Sequence, residues 1–332
     1  MALNSGAKDT ISKPLTSETL LAVVEKTIAK LKSERESKQL QRYVSKTSFQ
    51  AALEKSVLSE ISPSSRAERR KAIIFFLDIV QFTGRCERYS PEEIVSQINN
   101  LFEKITEVIT EEGGDIDKFM GDACMAFWFD DDGGQNHEKC ITAVLKIQKA
   151  VAELNSADHI LKKDPLQIRM GLNAGDVILC DLGAVKARVD LTMIGDAVNT
   201  AARLETACSK YGVDNLISGS ISNDVKEKFA IRLIDKIHVY GKTIPISCYE
   251  AINYSKTASK EEHALVSLFE EAIDVYERGE FSAAKDLFKK TSELEPNLGY
   301  VSNPSLEYVK RCEYLIQNPP KNWDGTWKME SK

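Results

Sequence analysis

The chain has 332 residues, a formal net charge of −6, and the apolar and charged fractions of an ordinary soluble protein. Because it is net acidic and has no stripe of lysine and arginine interleaved with aromatic residues, it lacks the electrostatic footprint of a nucleic-acid-binding protein. No apolar run approaches the roughly 18 residues that a membrane-spanning helix needs, and the first residues lack the apolar stretch of a signal peptide. We therefore expect no nucleic-acid partner and a soluble protein of the cytoplasm.

The seven cysteines are scattered along the chain and include no Cys-x-x-Cys pair. An odd number of unclustered cysteines favours reduced thiols over a disulfide framework, as in cytosolic proteins. We expect most of them to fill the core.

The N-terminal region is predicted to consist of a tail and a helical segment. Residues 1–16 are largely polar and are expected to form a flexible tail. Across 17–67, apolar residues recur at three- and four-residue steps, which predicts helix. The clearest of these positions are Leu20, Val24, Ile28 and Leu31. The pattern fits two interpretations: amphipathic helices packed on the main domain, or a dimerising signalling helix ahead of it.

The main domain begins with the stretch KAIIFFLDIVQFTG, residues 71–84, after a segment with the composition of a linker. The unbroken apolar run from Ala72 to Leu77 is typical of a strand buried on both faces. Asp78 follows directly, and an ionised carboxylate there is costly to bury unless it is hydrogen-bonded, neutralised or bound to a cation. Taken alone, Asp78 favours a cap for the turn that follows.

The elements after this strand predict an α+β domain. Ser90-Pro91-Glu92-Glu93 predicts a helix start, with Ser90 as the N-cap and Glu93 closing a capping box. The stretch DIDKFMGDACMAFWF predicts two short strands about a turn at Met120-Gly121. The remaining predicted elements are a helix over 137–154, strands over 167–172 and 188–194, a helix with Asp196 as its N-cap, and strands over 214–218, 233–239 and 245–251. This order is typical of a ferredoxin-like fold, which by itself says little about chemistry.

The C-terminal region, residues 263–332, is predicted to form a helical hairpin similar to one tetratricopeptide repeat, followed by a strap. Small and aromatic residues at repeat-like spacing carry this prediction: Tyr276, Gly279, Phe281, Ala284, Phe288 and Pro296. Because a single repeat cannot stack on itself, the hairpin must dock on the core or on a partner chain. Trp323 and Trp327 are expected to anchor the strap by packing.

Two groups of residues suit chemistry on an anionic substrate. Asp122 is a second acid embedded among apolar residues, and two carboxylates at the ends of adjacent strands are what a pair of Mg²⁺ ions needs. Asn199 and Arg203 lie four residues apart, hence on one helix face, where they suit an anionic transition state. For a bare Asn and Arg pair, a solvated helix face is the more common explanation.

Four motifs, in this order and at these separations, resemble the class III nucleotidyl cyclase catalytic domain: FFLDIVQFTG, KFMGDACMAF, IRMGLNAGDV and TMIGDAVNTAARLE. The match covers roughly residues 68–252, and four motifs in register are a specific signal. The resemblance implies an adenylyl cyclase that converts ATP to cyclic AMP and pyrophosphate by two-metal, in-line attack of the ribose 3′-hydroxyl on the α-phosphate. It is also compatible with the chain being the catalytic part of a longer sensor protein.

The resemblance implies a metal site and a phosphate site. Asp78, Ile79 and Asp122 would hold two Mg²⁺ or Mn²⁺ ions per active site. Backbone N–H groups of the segment from Val80 to Thr83, that of Phe82 among them, would hold phosphates.

The resemblance also implies roles for charged and polar side chains around the nucleotide. Arg203 would stabilise charge on the α-phosphate, and Asn199 would orient the ribose. Arg169 and Lys242 resemble family positions that touch the terminal phosphates.

Two positions would select the base. Lys118 matches the family lysine that donates a hydrogen bond to the adenine ring, where guanylyl cyclases carry an acid. Thr192 lies where many adenylyl cyclases have Asp, and its hydroxyl can both donate and accept. Thr192 on its own therefore discriminates purines less strictly, and Lys118 has to carry the preference for ATP.

The resemblance further implies a head-to-tail homodimer with two shared active sites, because in this family the metal aspartates and the residues facing the same nucleotide come from different subunits. Lys118 and Asp122 would then serve opposite sites, and the helical ends are candidate contacts for a regulatory partner. Two alternatives stay open: a guanylyl cyclase, which Lys118 disfavours, and a non-catalytic cyclase homologue acting in regulation or dimerisation. The second is disfavoured because no matched acid, Asn or Arg is lost.

Overall fold

The computed structural model describes residues 23–32, 45, 47–48, 50, 67–130, 134, 136–184, 188–222, 225–237 and 245–327. The chain divides into two compact units, Met1–Ile61 and Ser62–Lys332. In none of the described ranges is a helix both long and apolar enough to cross a membrane. All seven cysteines are free thiols and all but Cys86 are buried, as expected from their scatter in the sequence.

The first unit contains a helix at residues 23–32. The side chains of Val24, Ile28 and Leu31 are exposed on it. The tail predicted at 1–16 and most of the segment predicted at 17–67 lie outside the described residues. Packing on the domain and dimerisation therefore both stay predictions for this segment.

Within the described residues, the second unit contains one sheet of eight strands. In chain order these are β1 (Ala67–Ile79), β2 (Asp115–Met120), β3 (Ala123–Phe129), β4 (Ile168–Ala184), β5 (Arg188–Ile194), β6 (Asn215–Ser218), β7 (Phe229–Ile237) and β8 (Ile246–Tyr254). Their spatial order is β2-β3-β1-β4-β6-β8-β7, with β5 paired to β4. β1 therefore lies between β3 and β4, and it is antiparallel to both.

The described part of this unit also contains eight helices. They are α1 (Phe82–Arg88), α2 (Pro91–Glu111), α3 (His137–Ala157), α4 (Asp196–Tyr211), α5 (Gly219–Ser222), α6 (Lys260–Glu277), α7 (Phe281–Ser292) and α8 (Pro304–Gln317). Residues of α2 and α3 pack against one set of sheet residues, and residues of α4 pack against another. A mainly antiparallel sheet combined with helices is an α+β fold, as the sequence predicted.

β1 is buried on both faces, as its apolar run predicted. Ile73, Phe75 and Leu77 belong to the core formed with α2 and α3. Ala72 and Ile74 belong to the core formed with α4. Because successive side chains of a strand point to opposite faces, one continuous apolar run supplies both cores. Complete burial of a side chain such as Phe75 contributes about 2 kcal/mol.

Two predictions about helix starts had opposite outcomes. The capping box is confirmed: Ser90 Oγ accepts from the Glu93 N–H at 3.3 Å, and Glu93 Oε2 accepts from the Ser90 N–H at 2.9 Å. The prediction that Asp196 caps α4 is wrong, because the N-cap is Gly195. The helix therefore begins one residue earlier than expected, at Asp196. Gly195 has φ of 144°, a conformation that residues with a side chain rarely adopt, which explains why glycine occupies the cap.

β4 is much longer than the strand predicted over 167–172. It runs to Ala184 and pairs with β1 from Ala67↔Cys180 to Ile79↔Ile168. Its last residues form a hairpin with β5. The Gly and Asn residues of GLNAG are poor strand formers, but tertiary pairing with a complete neighbouring strand outweighs this local preference.

Gly171 sets the distance between β4 and α4. A Cβ atom there would lie 2.3 Å from the Ala201 carbonyl oxygen and 2.2 Å from the Glu205 backbone nitrogen. Gly171→Ala is therefore expected to push α4 away from the sheet and to lower the free energy of unfolding by about 3 kcal/mol or more. Urea denaturation checks this. Gly219→Ala is the control, because its Cβ would meet neighbours no closer than 3.5 Å. Equal losses in the two variants would contradict the prediction.

The C-terminal region contains three helices where a hairpin and a strap were predicted. α6, α7 and α8 share an aromatic core made of Phe269, Tyr276, Phe288 and Tyr308. The sequence analysis missed α8, although Asn303-Pro304 is a helix-start signal: the Asn303 side chain accepts from the Leu306 N–H at 2.9 Å. Trp323 Nε1 donates to the Glu277 carbonyl at 3.0 Å, which ties down the following segment. The similarity to a tetratricopeptide repeat stays a prediction.

Buried charged residues join the C-terminal helices to the sheet. Arg232 of β7 donates to Glu250 of β8 at 2.7 Å and to both carboxylate oxygens of Glu295 at 2.8 Å. Asp235, also on β7, accepts from Arg311 of α8 at 2.8 Å. These contacts make the three helices part of the unit that contains the sheet.

Candidate active site

Asp78 and Asp122 lie at one end of neighbouring strands. Asp78 is the penultimate residue of β1, and Asp122 follows Gly121 in the turn between β2 and β3. Gly121 has φ of 68°, which suits it to this tight turn. Burial raises the pKa of Asp122, and repulsion by the Asp78 carboxylate raises it further. The ladder between β1 and β3 pairs Leu77 with Cys124, so Asp78 and Asp122 lie just beyond the same end of these two strands.

Arg169 lies beside Asp78, because these two residues face each other in the β1 and β4 ladder. Its guanidinium donates to the Asp78 carboxylate, and its Nε is 2.9 Å from Glu205 Oε1 of α4. Burial lowers the pKa of Arg169, but attraction to Glu205 and Asp78 outweighs it, so the net shift is upward. Arg169 thus neutralises part of the acidic charge at this corner.

The residues at this corner fit divalent cations in their chemistry. Carboxylate oxygens are the hard ligands that Mg²⁺ and Mn²⁺ prefer, and the mutual repulsion of Asp78 and Asp122 is what a cation would relieve. Among the described residues, no cluster of three or more His, Cys, Asp or Glu side chains forms a complete protein cage for a metal ion. Two carboxylates and a backbone carbonyl would leave coordination positions for water and phosphate oxygens, as is usual for Mg²⁺ in phosphoryl-transfer sites.

The segment after β1 differs in one respect from the predicted phosphate site. The Val80 N–H donates to the Gln167 carbonyl at 2.9 Å, so this group is not available and its inclusion in the predicted set is wrong. Gln81 then adopts the left-handed conformation with φ of 55°, and α1 starts at Phe82. The N–H groups of Phe82 and Thr83 lie in the first turn of α1, where no carbonyl within the helix can pair with them.

The two base-selecting candidates, Lys118 and Thr192, are joined through Asp117. Thr192 Oγ1 donates to Asp117 Oδ2 at 2.9 Å, and Lys118 Nζ is 3.3 Å from the same oxygen. Burial raises the pKa of Asp117, and the neighbouring Lys118 and the hydrogen bond from Thr192 oppose this rise. Thus residues far apart in sequence, on β2 and β5, meet within one chain.

Asn199 and Arg203 are both exposed on α4, so they share one face of the helix, as their spacing predicted. Their buried neighbours Thr200, Ala201 and Leu204 face the protein interior. This places the Asn and Arg side chains at a surface of the chain. Lys242 lies outside the described residues, so its position stays a prediction.

The sequence analysis missed Asp117 and Glu205. Asp117 stands next to Lys118 in the sequence, and a regular strand would turn the two side chains to opposite faces, so no local signal paired them. Glu205 lies two residues after Arg203, and no motif or spacing in the sequence singled it out. Only the close approach of α4 to β4 brings it to Arg169.

Comparison with known proteins assigns the fold and these motifs to a family. Residues 65–254 match the family described as adenylate and guanylate cyclase catalytic domain. This chain belongs to the adenylate and guanylate cyclase catalytic domain family. The matched residues include both aspartates, the hairpin that carries Lys118, and helix α4.

Similar curated proteins include two adenylate cyclases. The terminal-differentiation-specific adenylate cyclase of Dictyostelium discoideum is 30% identical over 254 residues, which is 74% of this chain and 11% of that protein. An adenylate cyclase of Anabaena cylindrica is 33% identical over 217 residues, or 61% of this chain and 42% of that protein. The chain therefore spans less than half the length of these two relatives.

Similar solved structures agree with the fold. The adenylyl cyclase CyaB from P. aeruginosa superposes with a TM-score of 0.50 at 29% identity, covering 58% of this chain and all of that one. A bacterial light-regulated adenylyl cyclase superposes with a TM-score of 0.57 at 22% identity, covering 78% of this chain and 71% of that one. The cyclase-family domain of this chain thus has the class III fold that the four motifs predicted.

Proposed function

We propose that this chain is the catalytic part of an adenylyl cyclase. In the reaction, the ribose 3′-oxygen of ATP forms a bond to the α-phosphorus, the bond from that phosphorus to the β-phosphate oxygen breaks, and pyrophosphate leaves. The observation that carries the proposal is the position of two aspartates, Asp78 and Asp122, at the same end of the paired strands β1 and β3 of a cyclase-family domain. Similarity to curated adenylate cyclases supports the choice of reaction.

Asp78, Asp122 and the backbone carbonyl of Ile79 are proposed to hold two Mg²⁺ or Mn²⁺ ions. When bound there, these ions would lower the pKa of the 3′-hydroxyl and neutralise the triphosphate. The carboxylates supply the negative charge that the ions require, and their partial burial strengthens that attraction. The N–H groups of Phe82 and Thr83 are proposed to contact phosphate oxygens beside them.

Arg203 and Asn199 are proposed to act on the reacting centre from the exposed side of α4. The Arg203 guanidinium would stabilise the negative charge that grows on the α-phosphate, and the Asn199 amide would orient the ribose. Arg169 and Lys242 are proposed to meet the terminal phosphates. Because Arg169 pairs with Asp78 and Glu205, that contact requires it to exchange a carboxylate for a phosphate.

ATP is proposed as the substrate because Lys118 is a cationic donor. At the position where guanylyl cyclases carry an acid, its ammonium would donate to a ring nitrogen of adenine, whereas the N1–H of guanine would face it with a second donor. Thr192 would face the exocyclic group at position 6 of the purine.

The active form is proposed to be a head-to-tail homodimer. Exposed apolar side chains support an interface between two copies. They are Phe119 and Met120 at the end of β2, and Leu182 and Ile194 on the hairpin of β4 and β5. Burial of these apolar side chains between two copies would remove them from water, which is favourable. In this arrangement Asp78 and Asp122 of one subunit would work with Asn199 and Arg203 of the other.

The direct test is product formation by the purified chain. With Mn²⁺ and ATP, we expect cyclic AMP and pyrophosphate in equal amounts, and far less cyclic GMP from GTP assayed in parallel. Specific activity should rise with protein concentration until the dimer is fully formed. Faster turnover of GTP than of ATP would favour a guanylyl cyclase, and equal turnover would contradict the selection of ATP by Lys118. No product at any concentration would contradict the proposal.

Mixing two inactive variants tests the shared sites. Asp78→Asn removes a metal ligand and Arg203→Ala removes the charge stabiliser, so each alone is expected to be inactive. In a dimer formed from one copy of each, one site contains both defects and the other contains none. An equal mixture with random pairing should therefore recover about a quarter of wild-type activity. If the mixed dimers form, as shown by co-purification of differently tagged copies, but remain inactive, the shared-site arrangement is wrong.

A further inference from the structure

A β-bulge in β2 brings Asp117 and Lys118 onto the same side of the strand. The register between β2 and β3 shifts between Ile116, which faces Ala126, and Lys118, which faces Met125. In a regular strand, neighbouring side chains point to opposite faces. The extra residue of the bulge cancels that alternation, so a carboxylate and an ammonium that follow one another in the chain lie 3.3 Å apart.

The Asp117 side chain is almost completely buried, whereas that of Lys118 is partly exposed, with exposures of 3% and 37%. A carboxylate buried to this degree requires donors. The two that it has are Lys118 and the Thr192 hydroxyl, at 2.9 Å. Thr192 is itself buried, so its hydroxyl has few other partners to choose from.

The bond to Asp117 determines which way the Thr192 hydroxyl points. A hydroxyl has a single proton and two lone pairs, and an ionised carboxylate can only accept. Because Thr192 gives its proton to Asp117, its oxygen offers only lone pairs to any further partner. Lys118, in contrast, is a donor only. The pair therefore presents one fixed donor and one fixed acceptor.

We infer that Asp117 is a positioning residue for base selection, which makes Thr192 a dedicated acceptor beside the Lys118 donor. The inference rests on the proposed function, in which Lys118 faces the ring nitrogen N1 of the purine. Thr192 would then accept from the amino group at position 6 of adenine and would face the O6 oxygen of guanine with a second acceptor. Guanine would thus be opposed at both positions, as acceptor against acceptor and donor against donor.

The test compares Asp117→Ala with Asp117→Asn in the full chain, using kcat/KM for ATP and for GTP with Mn²⁺. In the alanine variant the Thr192 hydroxyl is free to turn and to donate to O6. We expect kcat/KM for ATP divided by kcat/KM for GTP to fall by about tenfold or more. In the asparagine variant an amide oxygen can still accept from both neighbours, and most of the ratio should remain. If the alanine change lowers both kcat/KM values equally, Asp117 is merely structural and the inference is wrong.

Repeating the Asp117→Ala change in a Thr192→Val variant isolates the role of the hydroxyl. Valine has nearly the same shape as threonine but has no hydroxyl proton that Asp117 could orient. In that background, Asp117→Ala should change the ratio much less than it does beside threonine, because the two residues act as one unit. Equal changes in both backgrounds would overturn the inference.

The outcome for wild type separates this inference from the proposed function. Wild type that makes cyclic AMP and prefers ATP, with an alanine variant of unchanged ratio, would contradict only the role of Asp117. Wild type that makes no cyclic nucleotide from either substrate would contradict the proposed function. The ratio of the GTP dissociation constant to the ATP dissociation constant in the same variants, measured by calorimetry, then decides the role of Asp117, because loss of discrimination should lower that ratio by the same expected tenfold.

Discussion

Replacing Asp78 with asparagine is expected to lower cyclic AMP formation by on the order of 10³-fold, or below detection. The amide has nearly the same shape as the carboxylate but carries no charge, and a divalent cation needs charge from its ligands. The effect should be a loss of turnover that added Mn²⁺ does not repair at accessible concentrations. Initial rates across a Mn²⁺ titration provide the measurement.

The fold should tolerate this change, which makes the result interpretable. Arg169 loses one carboxylate partner in the variant, but it retains Glu205 at 2.9 Å. We therefore expect urea midpoints close to that of wild type. Asp286→Asn, on the exposed side of α7, is the matched control and should keep full activity. Near-wild-type turnover by Asp78→Asn would rule out the proposed metal ligand.

Replacing Arg232 with methionine is expected to cost about 3–5 kcal/mol of folding free energy. Arg232 is 1% exposed and holds the buried carboxylates of Glu250 and Glu295 by three hydrogen bonds. Methionine fills similar space but leaves two acids buried without their cation. Because Glu295 belongs to the C-terminal region, we expect the three C-terminal helices to loosen together, as detected by hydrogen exchange across α6, α7 and α8.

The same variant should show a specific pH dependence. Burial raises the pKa of Glu250 to about 7 even with Arg232 opposing the rise, and removal of Arg232 must raise that pKa further. An acid with a raised pKa in the folded state binds its proton more tightly there than in the unfolded chain, so stability falls as the pH rises from the unfolded value toward the folded one. The deficit of the variant should therefore be largest above pH 7 and should shrink as the pH is lowered toward the ordinary value of about 4.3.

Two further variants test whether the loss of stability in Arg232→Met comes from unpaired buried charge or from altered packing. Arg278→Met removes an exposed ion pair with Glu280 and should cost no more than about 0.5 kcal/mol. Combining Arg232→Met with Glu250→Gln and Glu295→Gln should recover much of the loss, because no buried charge is then left unpaired. A loss for Arg232→Met that is independent of pH and is not recovered would show that packing, and not charge, is the cause.

The local structure of the domain could largely be predicted from its sequence. The apolar run of β1 specified a strand buried on both faces, and Ser90 with Glu93 specified the start of α2. These features depend on neighbouring residues alone, so periodicity and capping rules suffice. The same rules failed for β4, because pairing with β1 as far as Cys180 and with β5 beyond it decides how far that strand continues.

In the candidate site, too, some features follow from the sequence and others depend on the tertiary structure. The sequence by itself determined the family, through four motifs in register, and with it the candidates Asp78, Asp122, Lys118 and Arg203. Only the tertiary structure decided which groups these residues meet: a bulge places Asp117 against Lys118 and Thr192, and the approach of α4 places Glu205 against Arg169. The reason is that burying a carboxylate makes its partner obligatory, while the identity of that partner depends on segments that are distant in the chain.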